Sequence, residues 1–149
     1  MRLDQMLSRH GYCSRRDARF WLKGGRVTVG GVAVSDPETK AVCSEVRIDG
    51  EAVECPEGLV AVFHKPVGCV CSRDGREGPS VYGLLPERWS NRNPPVTTVG
   101  RLDKDTTGVL VITDQGELVQ RWTSPRHKVP KVYEATVDKP LDPALVAEF

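Results

Sequence analysis

VTTVGRLDKDTTGVLVIT, residues 96–113, is the stretch that decides the fold of the second half of the chain. β-Branched and apolar residues lie on both sides of a polar centre, which predicts two buried strands joined by a loop that extends from a sheet. Gly100 and Gly108 bracket the loop and allow the tight turns that it needs at each end. Between them lie an arginine, two aspartates and two threonines. Composition alone favours a plain hairpin connection with solvated charges, although functional residues often lie on such loops.

Positive charge is concentrated at the start of the chain. The 149 residues have a formal net charge of +1, but the segment up to Val34 contains seven arginines and lysines against Asp4 and Asp17 and therefore carries +5. The remainder is acidic overall, at −4. A basic N-terminal segment followed by a mildly acidic remainder predicts a phosphate-binding module attached to a second domain.

The basic segment has the pattern of two short helices followed by a hairpin. Ser14 precedes Arg-Arg-Asp and is the predicted N-cap of the second helix, which ends at the glycine pair 24–25. Valines alternate with other residues on both sides of a second glycine pair, which predicts a β-hairpin over residues 26–34. The apolar residues at helical spacing are Leu3, Met6 and Leu7 in the first helix and Ala18, Trp21 and Leu22 in the second.

Three motifs within residues 1–47 resemble the S4 RNA-binding domain. They are Arg-Leu-Asp at 2–4, Ser-Arg-Arg at 14–16 and Gly-x-Val-x-Val-x-Gly at 25–31. The resemblance implies phosphate contacts, which are numerous, weakly sequence-specific and sensitive to salt. The basic residues that we expect to contact RNA are Arg2, Arg15, Arg16 and Arg19. Phe20 and Trp21 are able to stack on bases, but Trp21 is favoured as a core residue.

A stretch that contains a predicted turn and a predicted hinge separates this domain from the next. Asp49-Gly50 is a predicted turn, and Cys-Pro-Glu-Gly at 55–58 is the predicted hinge. We therefore place a linker over residues 48–57 and a second domain over residues 58–149. An apolar run at 59–63 predicts the buried strand that opens this second domain.

The central loop and two further motifs resemble pseudouridine synthases of the RsuA/RluB type. Gly-Arg-Leu-Asp at 100–103, followed by Asp-Thr-Thr-Gly at 105–108, is similar to their active-site signature. His-Lys-Pro-Val-Gly at 64–68 is similar to their Asn-Lys-Pro-x-Gly turn with His in place of Asn, and a structural role is favoured for its Lys-Pro pair. Lys-x-Tyr, their second active-site motif, is matched within an alternating strand predicted over residues 131–137.

The resemblance implies the chemistry and the residues that carry it. These enzymes break the bond between N1 and C1′ of a uridine and rejoin C1′ to C5 of the same base. Asp103 is expected to be the attacking carboxylate, and Tyr133 to stack on the uracil and help remove the C5 proton. Arg101 is expected to hold a phosphate or fill the gap left by the flipped nucleotide, and Lys131 to support the pocket electrostatically. Asp105 is the competing candidate for the attacking carboxylate on residue type alone, but it lies outside the Gly-Arg-Leu-Asp core.

The reaction requires no metal or redox cofactor, and we expect none. Five scattered cysteines, the lack of an apolar run near about 20 residues, and an N-terminus without an apolar signal segment predict a cytoplasmic protein that does not enter membranes. Thr-Ser-Pro-Arg-His at 123–127, together with Asp-Thr-Thr-Gly, favours the branch that acts on small-subunit (16S) ribosomal RNA. The expected partner is therefore ribosomal RNA or an assembling small ribosomal subunit, bound by a monomer.

The sequence departs from the family at its C-terminal end. Chains of this family continue past the Lys-x-Tyr strand and supply a third motif, whose arginine pairs with the catalytic aspartate, whereas this sequence ends inside a helix predicted after Asp142-Pro143. We therefore expect little or no turnover from the 149 residues alone and a poorly stable second domain. The alternative reading is a non-catalytic S4-type RNA-binding protein or a truncated, inactive fragment.

The expected fold class is α+β. Its first part is a small helical S4 RNA-binding domain. Its second part is an incomplete mixed, mainly antiparallel sheet with helices on one side, which forms the N-terminal portion of a catalytic domain.

Overall fold

The computed structural model describes residues 1–54, 57–140 and 144. The hinge predicted at 55–58 lies partly outside the described residues, and the helix predicted after residue 142 lies almost wholly outside them. The described residues contain two antiparallel sheets together with α-helices, so the predicted α+β class is confirmed. No helix in this part of the chain is long and apolar enough to cross a bilayer.

Two helices and a four-stranded antiparallel sheet form the N-terminal module. Helices α1 (Leu3–Arg9) and α2 (Arg15–Lys23) are the two that the spacing predicted, and the Ser14 hydroxyl caps α2 by accepting the Asp17 N–H at 3.1 Å. The strands lie in the order β2-β1-β3-β4 and are β1 (Val27–Val29), β2 (Val32–Ala33), β3 (Val46–Ile48) and β4 (Glu51–Ala52). Helices and sheet share one core that includes Leu3, Met6, Leu7, Ala18, Leu22, Val27, Val46 and Ile48, with Trp21 packed at its edge.

The turn predicted at Asp49-Gly50 is confirmed as the connection between β3 and β4. The two residues have φ angles of 52° and 87°, as a two-residue hairpin turn of type I′ requires. The sheet extends to Ala52, beyond residue 47, where we placed the end of the first domain. The domain boundary and the 48–57 linker stay predictions.

The second sheet has three strands, β5 (Val60–Lys65), β6 (Thr97–Val99) and β7 (Gly108–Thr113). Their order is β5-β7-β6 with antiparallel pairing throughout, and β6 and β7 are the two flanks of the glycine-bracketed loop, so the predicted hairpin is confirmed. Helix α3 (Glu87–Ser90) precedes β6, and helix α4 (Gly116–Thr123) packs against β6 and β7. The core under the sheet consists of Leu59, Leu85, Val96 and Ile112.

Only one face of this second sheet is buried. Leu110 and Ile112 point into the protein, whereas Val109 on β7 is 66% exposed and Val62 on β5 is 74% exposed. Successive side chains of a strand point to opposite faces. The prediction of fully buried strands is therefore wrong for one face of β5 and β7, because apolar, β-branched composition does not distinguish a strand covered on two faces from one covered on one.

The strand predicted over residues 131–137 is wrong for the described conformation. This segment is irregular and exposed, and it pairs with neither sheet within the described residues. An alternating pattern permits a half-buried strand, but a strand also needs a neighbour that satisfies its N–H and C=O groups. The sequence pattern does not specify that neighbour.

A buried polar network joins the N-terminal module to the second sheet. Arg92 donates from Nε to Oδ2 of Asp114 at 2.7 Å, and its Nη2 lies 3.1 Å from Nδ1 of His10. Because an arginine carries only donors, Nδ1 of His10 is the acceptor and the ring is neutral. Burial, followed by the nearby Arg92 and Arg9 cations, lowers the pKa of His10 to about 4. Asp114 also accepts the N–H of Leu59 at 2.8 Å.

The backbones of the two modules also meet beside this network. Gly11 has a φ of 76°, and a Cβ at this position would collide with the backbone carbonyl of Arg88 in α3. The N–H of Asn93 donates to the carbonyl of Arg9 at 3.0 Å, and the Glu54 carboxylate forms an ion pair with Arg88. The end of α1 is therefore fixed to α3 and to the residues that follow it.

Candidate active site

A buried lysine holds the glycine-bracketed loop in place. Lys65, at the end of β5, is 0% exposed, and its Nζ donates to the carbonyl oxygens of Pro66 at 3.1 Å, Lys104 at 3.1 Å and Thr106 at 2.8 Å. The N–H of Gly68 donates to the same Lys104 oxygen at 2.8 Å. These three bonds use all the donors of the ammonium group, so the Lys-Pro turn fixes the backbone of the loop.

The loop makes a tight turn of its own around Asp103. Gly100 has a φ of 80°, in the left-handed region that favours glycine, at the point where the chain leaves β6. The N–H of Thr106 donates to the carbonyl of Asp103 at 3.1 Å, and the Cys71 thiol lies 3.6 Å from the carbonyl of Leu102. The backbone on both sides of the Asp103 carboxylate is thus held by the protein.

The loop lines a cavity of about 430 Å³. Arg101 and Asp103 both face it, so the structure brings together two of the predicted site residues. Cavities that bind small molecules have volumes of about 300–1,000 Å³, so this one has room for a nucleobase. The full lining is Val70, Cys71, Ser72, Glu77, Arg101, Leu102, Asp103 and Lys104.

The two loop aspartates have different positions relative to this cavity. Asp103 lines it, whereas Asp105 does not. Both residues are exposed, and within the described residues the Asp103 carboxylate forms no ion pair. A solvent-accessible, unpaired carboxylate on a fixed backbone is able to act as a nucleophile toward a ligand in the cavity.

Tyr133 and Lys131 are not part of this cavity in the described conformation. Both lie in the exposed segment that follows α4, and the Tyr133 side chain is 83% exposed. The structure therefore separates these two predicted site residues from Asp103 and Arg101.

The four arginines predicted to contact RNA fall into two pairs. Arg2 and Arg15 both bind the carboxylate of Asp4, at 3.0 and 2.9 Å. Burial alone would raise the pKa of Asp4, but hydrogen bonds from Arg15, Arg2 and the Gln5 N–H outweigh it and hold that pKa below its usual value. Arg2 also forms an ion pair with Glu38 at 3.0 Å, so the charges of these two arginines are balanced by two carboxylates. Arg16 and Arg19, in contrast, extend from α2 into solvent.

Several structurally important polar residues were missed by the sequence analysis. His10, Arg92 and Asp114 come from three distant parts of the chain, and each has an unremarkable local sequence. Lys65 did carry a signal, the Lys-Pro turn, but its contacts with the loop some forty residues later are not encoded in that turn.

Comparison with known families agrees with this geometry. Residues 59–147 match the family model for RNA pseudouridylate synthases, and residues 1–41 match the S4 domain. The first match alone covers more than half of the chain. This chain belongs to the RNA pseudouridylate synthase family. Family membership confirms the resemblance stated for the signature loop.

Curated relatives in the family support the same assignment. An uncharacterized RNA pseudouridine synthase of Aquifex aeolicus is 34% identical over 143 residues, which cover 95% of this chain and 59% of the relative. The ribosomal large subunit pseudouridine synthase B of Pseudomonas aeruginosa is 35% identical over 91% of this chain and 36% of its own length. An uncharacterized RNA pseudouridine synthase of Bacillus subtilis is 37% identical, with coverages of 90% and 56%.

The chain therefore spans between 36% and 59% of the length of these relatives. A crystal structure of a pseudouridylate synthase aligns with 85% of this chain and 54% of its own chain, at 29% sequence identity. The TM-score between the two chains is 0.42.

Proposed function

We propose that this chain carries an S4 RNA-binding module and the Asp103-bearing portion of a pseudouridine synthase that isomerises a uridine in ribosomal RNA. The observation that supports the proposal most strongly is the position of Asp103. Its carboxylate lines a cavity with room for a base, on a loop whose backbone is held by the buried Lys65. Family membership supplies the class of reaction.

The proposed reaction begins with attack of the Asp103 carboxylate on the base or the sugar of a uridine in the cavity. The bond between N1 and C1′ breaks, the base turns, and a bond forms between C5 and C1′. The bond to the Asp103 oxygen then breaks, and its electron pair returns to the carboxylate. The C5 proton leaves and N1 gains one, so the product is an isomer of the substrate. Arg101, which faces the same cavity, is proposed to hold a backbone phosphate near the displaced nucleotide.

The proposed roles of Tyr133 and Lys131 depend on where residues 129–140 lie. Stacking of Tyr133 on the uracil, and electrostatic support from Lys131, require residues 129–140 to reach the cavity, and in the described conformation this segment lies apart from it. These two roles therefore require a conformational change in residues 129–140.

The proposed substrate is small-subunit ribosomal RNA, bound by a monomer in the cytoplasm. The Thr-Ser-Pro-Arg-His and Asp-Thr-Thr-Gly motifs favour this target. A different target is favoured by the printed name of the Pseudomonas aeruginosa relative, which specifies the large subunit. The test must therefore offer both RNAs.

The deciding experiment measures pseudouridine formation in small- and large-subunit ribosomal RNA, each presented free and as an assembly intermediate. It compares the 149-residue chain with an extended form that carries the C-terminal part of a longer relative in the family. In the active form, Asp103→Asn is expected to abolish product. The matched variant, Asp105→Asn, changes an aspartate two residues away and is expected to retain most of the activity.

Two outcomes would contradict the proposal. Pseudouridine formation by the Asp103→Asn variant would overturn the assignment of the nucleophile. RNA binding without product, by both the chain and its extended form, would favour the non-catalytic S4-type RNA-binding protein instead.

A further inference from the structure

Phe20 is a large apolar side chain that lies in solvent on a helix that is otherwise charged on that side. It is 60% exposed, whereas Ala18 and Leu22 on the other side of α2 are buried in the core. Removing an exposed phenyl ring from water is favourable, so a flat apolar surface that covers the ring at this position would be bound favourably. Phe20 does not contribute to the core of its own module.

Three of the four charged residues around Phe20 are cationic, and the fourth, Asp17, accepts a hydrogen bond from the Ser14 hydroxyl at 2.6 Å. Arg16 and Lys23 lie four residues before and three residues after it, which places them beside it on the same face of the helix. The guanidinium carbon of Arg19 lies 4.8 Å from the centroid of the Phe20 ring. Within the described residues none of these three cations forms an ion pair, so their charge is available to a ligand.

We propose that Phe20 is a stacking platform for an unpaired RNA base, with Arg16, Arg19 and Lys23 holding the phosphates on either side of that base. The inference rests on the RNA-binding part of the function proposed above and goes beyond it by naming the kind of RNA that the helix selects. A cationic stripe alone attracts phosphates and does not distinguish a duplex from a single strand. An exposed aromatic ring among those cations adds a surface that an unstacked base can cover and a base stacked within a duplex cannot.

Charge and ring geometry favour RNA over a protein partner. Phosphates on both sides of a base carry the charge that complements three cations around one ring, and base stacking tolerates any sequence. The Arg19 guanidinium over the ring extends the stack, because a planar guanidinium and a base both pack on aromatic faces.

The test measures fluorescence anisotropy of the 149-residue chain with a labelled single-stranded oligouridine and with a blunt RNA duplex, from about 50 to 200 mM salt. Phe20→Ala is expected to weaken binding of the single strand by roughly 5- to 100-fold, to change duplex binding little, and to leave the salt dependence unchanged. Phe20→Trp is expected to retain binding, whereas Phe20→Leu should behave like Phe20→Ala because it is apolar but cannot stack.

Two further variants complete the design. Arg16→Gln is expected to reduce the slope of log affinity against log salt by about 0.7 for the single strand, the effect of one lost phosphate contact. Val32→Ala truncates an apolar side chain of β2 that is 69% exposed in the same module, and it is expected to leave RNA binding unchanged. An unchanged unfolding midpoint for each variant establishes that the module remains folded.

Three outcomes would overturn the inference: Phe20→Ala binding as tightly as Val32→Ala, Phe20→Leu binding as tightly as the unmodified chain, or equal losses for single strand and duplex. Failure of the proposed catalytic function is a separate result. If no form makes pseudouridine but the Phe20 series behaves as expected, the stacking platform stands without the enzyme. If pseudouridine forms and the Phe20 series shows no effect, the enzyme stands without the platform.

Discussion

Replacing Lys65 by methionine tests the contacts that hold the signature loop. Methionine has a similar length and shape but no donors, so Lys65→Met removes the three hydrogen bonds to the carbonyls of Pro66, Lys104 and Thr106. We expect the free energy of unfolding of the second domain to fall and the loop to loosen.

The size of the effect follows from the three bonds and from the cost of burying the charge. A hydrogen bond from a charged group contributes about 1.5–3 kcal/mol, so three contribute about 4.5–9 kcal/mol. Against this, methionine does not carry the cost of several kcal/mol of keeping an ammonium group out of water. The Lys104 carbonyl keeps a second donor, the N–H of Gly68. The net destabilisation expected is about 2–4 kcal/mol.

The assay combines urea unfolding with amide hydrogen exchange. The N–H groups of Gly68 and Thr106 donate to loop carbonyls, and both are expected to exchange faster in Lys65→Met than in the unmodified chain. Lys104→Met is the matched control in the same loop, because it removes only the exposed bond from Lys104 Nζ to the Glu77 carbonyl. It is expected to cost less than about 1 kcal/mol. Equal unfolding and exchange in the two variants would refute the anchoring role of Lys65.

Two further predictions concern the network between the modules. Arg92→Met leaves the buried Asp114 carboxylate without its ion pair and is expected to lower the free energy of unfolding, measured in urea, by about 3–5 kcal/mol. Arg76→Met removes an exposed ion pair with Asp74 and should change that free energy little, so equal effects of the two variants would contradict the reasoning. The pKa of His10 is about 4 in the folded state, so between about pH 6.5 and 4 the unfolded state binds more protons and the free energy of unfolding should fall as pH is lowered. His10→Gln should make this pH dependence shallower, and an unchanged dependence in that variant would show that another group is responsible.

Local signals in the sequence were sufficient for much of the fold. Ser14 three residues before a carboxylate predicted the start of α2, and its hydroxyl does cap that helix. Asp49-Gly50 predicted a turn, and in the structure both residues have the positive φ angles that few residue pairs adopt readily. Each of these features depends on residues within a few positions of one another, so the local pattern determines it.

Features that depend on distant residues were not predicted. Arg92 and Asp114 meet only after the chain has folded, and nothing near either residue identifies its partner. The prediction of a strand at 131–137 was wrong for a related reason. The alternating pattern specifies two faces of a strand but does not provide a neighbouring strand to pair with. In the candidate site, Asp103 and Arg101 line one cavity since both lie on one loop, and their roles stay predictions.

The contact between Gly11 and Arg88, with the network beside it, has a geometric consequence for any RNA that touches both α2 and the cavity. These contacts hold the two modules against each other, so the fold sets the distance from α2 to the cavity. In the complex that we propose, the path along the RNA from the nucleotides at α2 to the uridine at Asp103 would have to match that distance. An RNA with the correct bases but the wrong number of nucleotides between these two points would be rejected by length rather than by sequence.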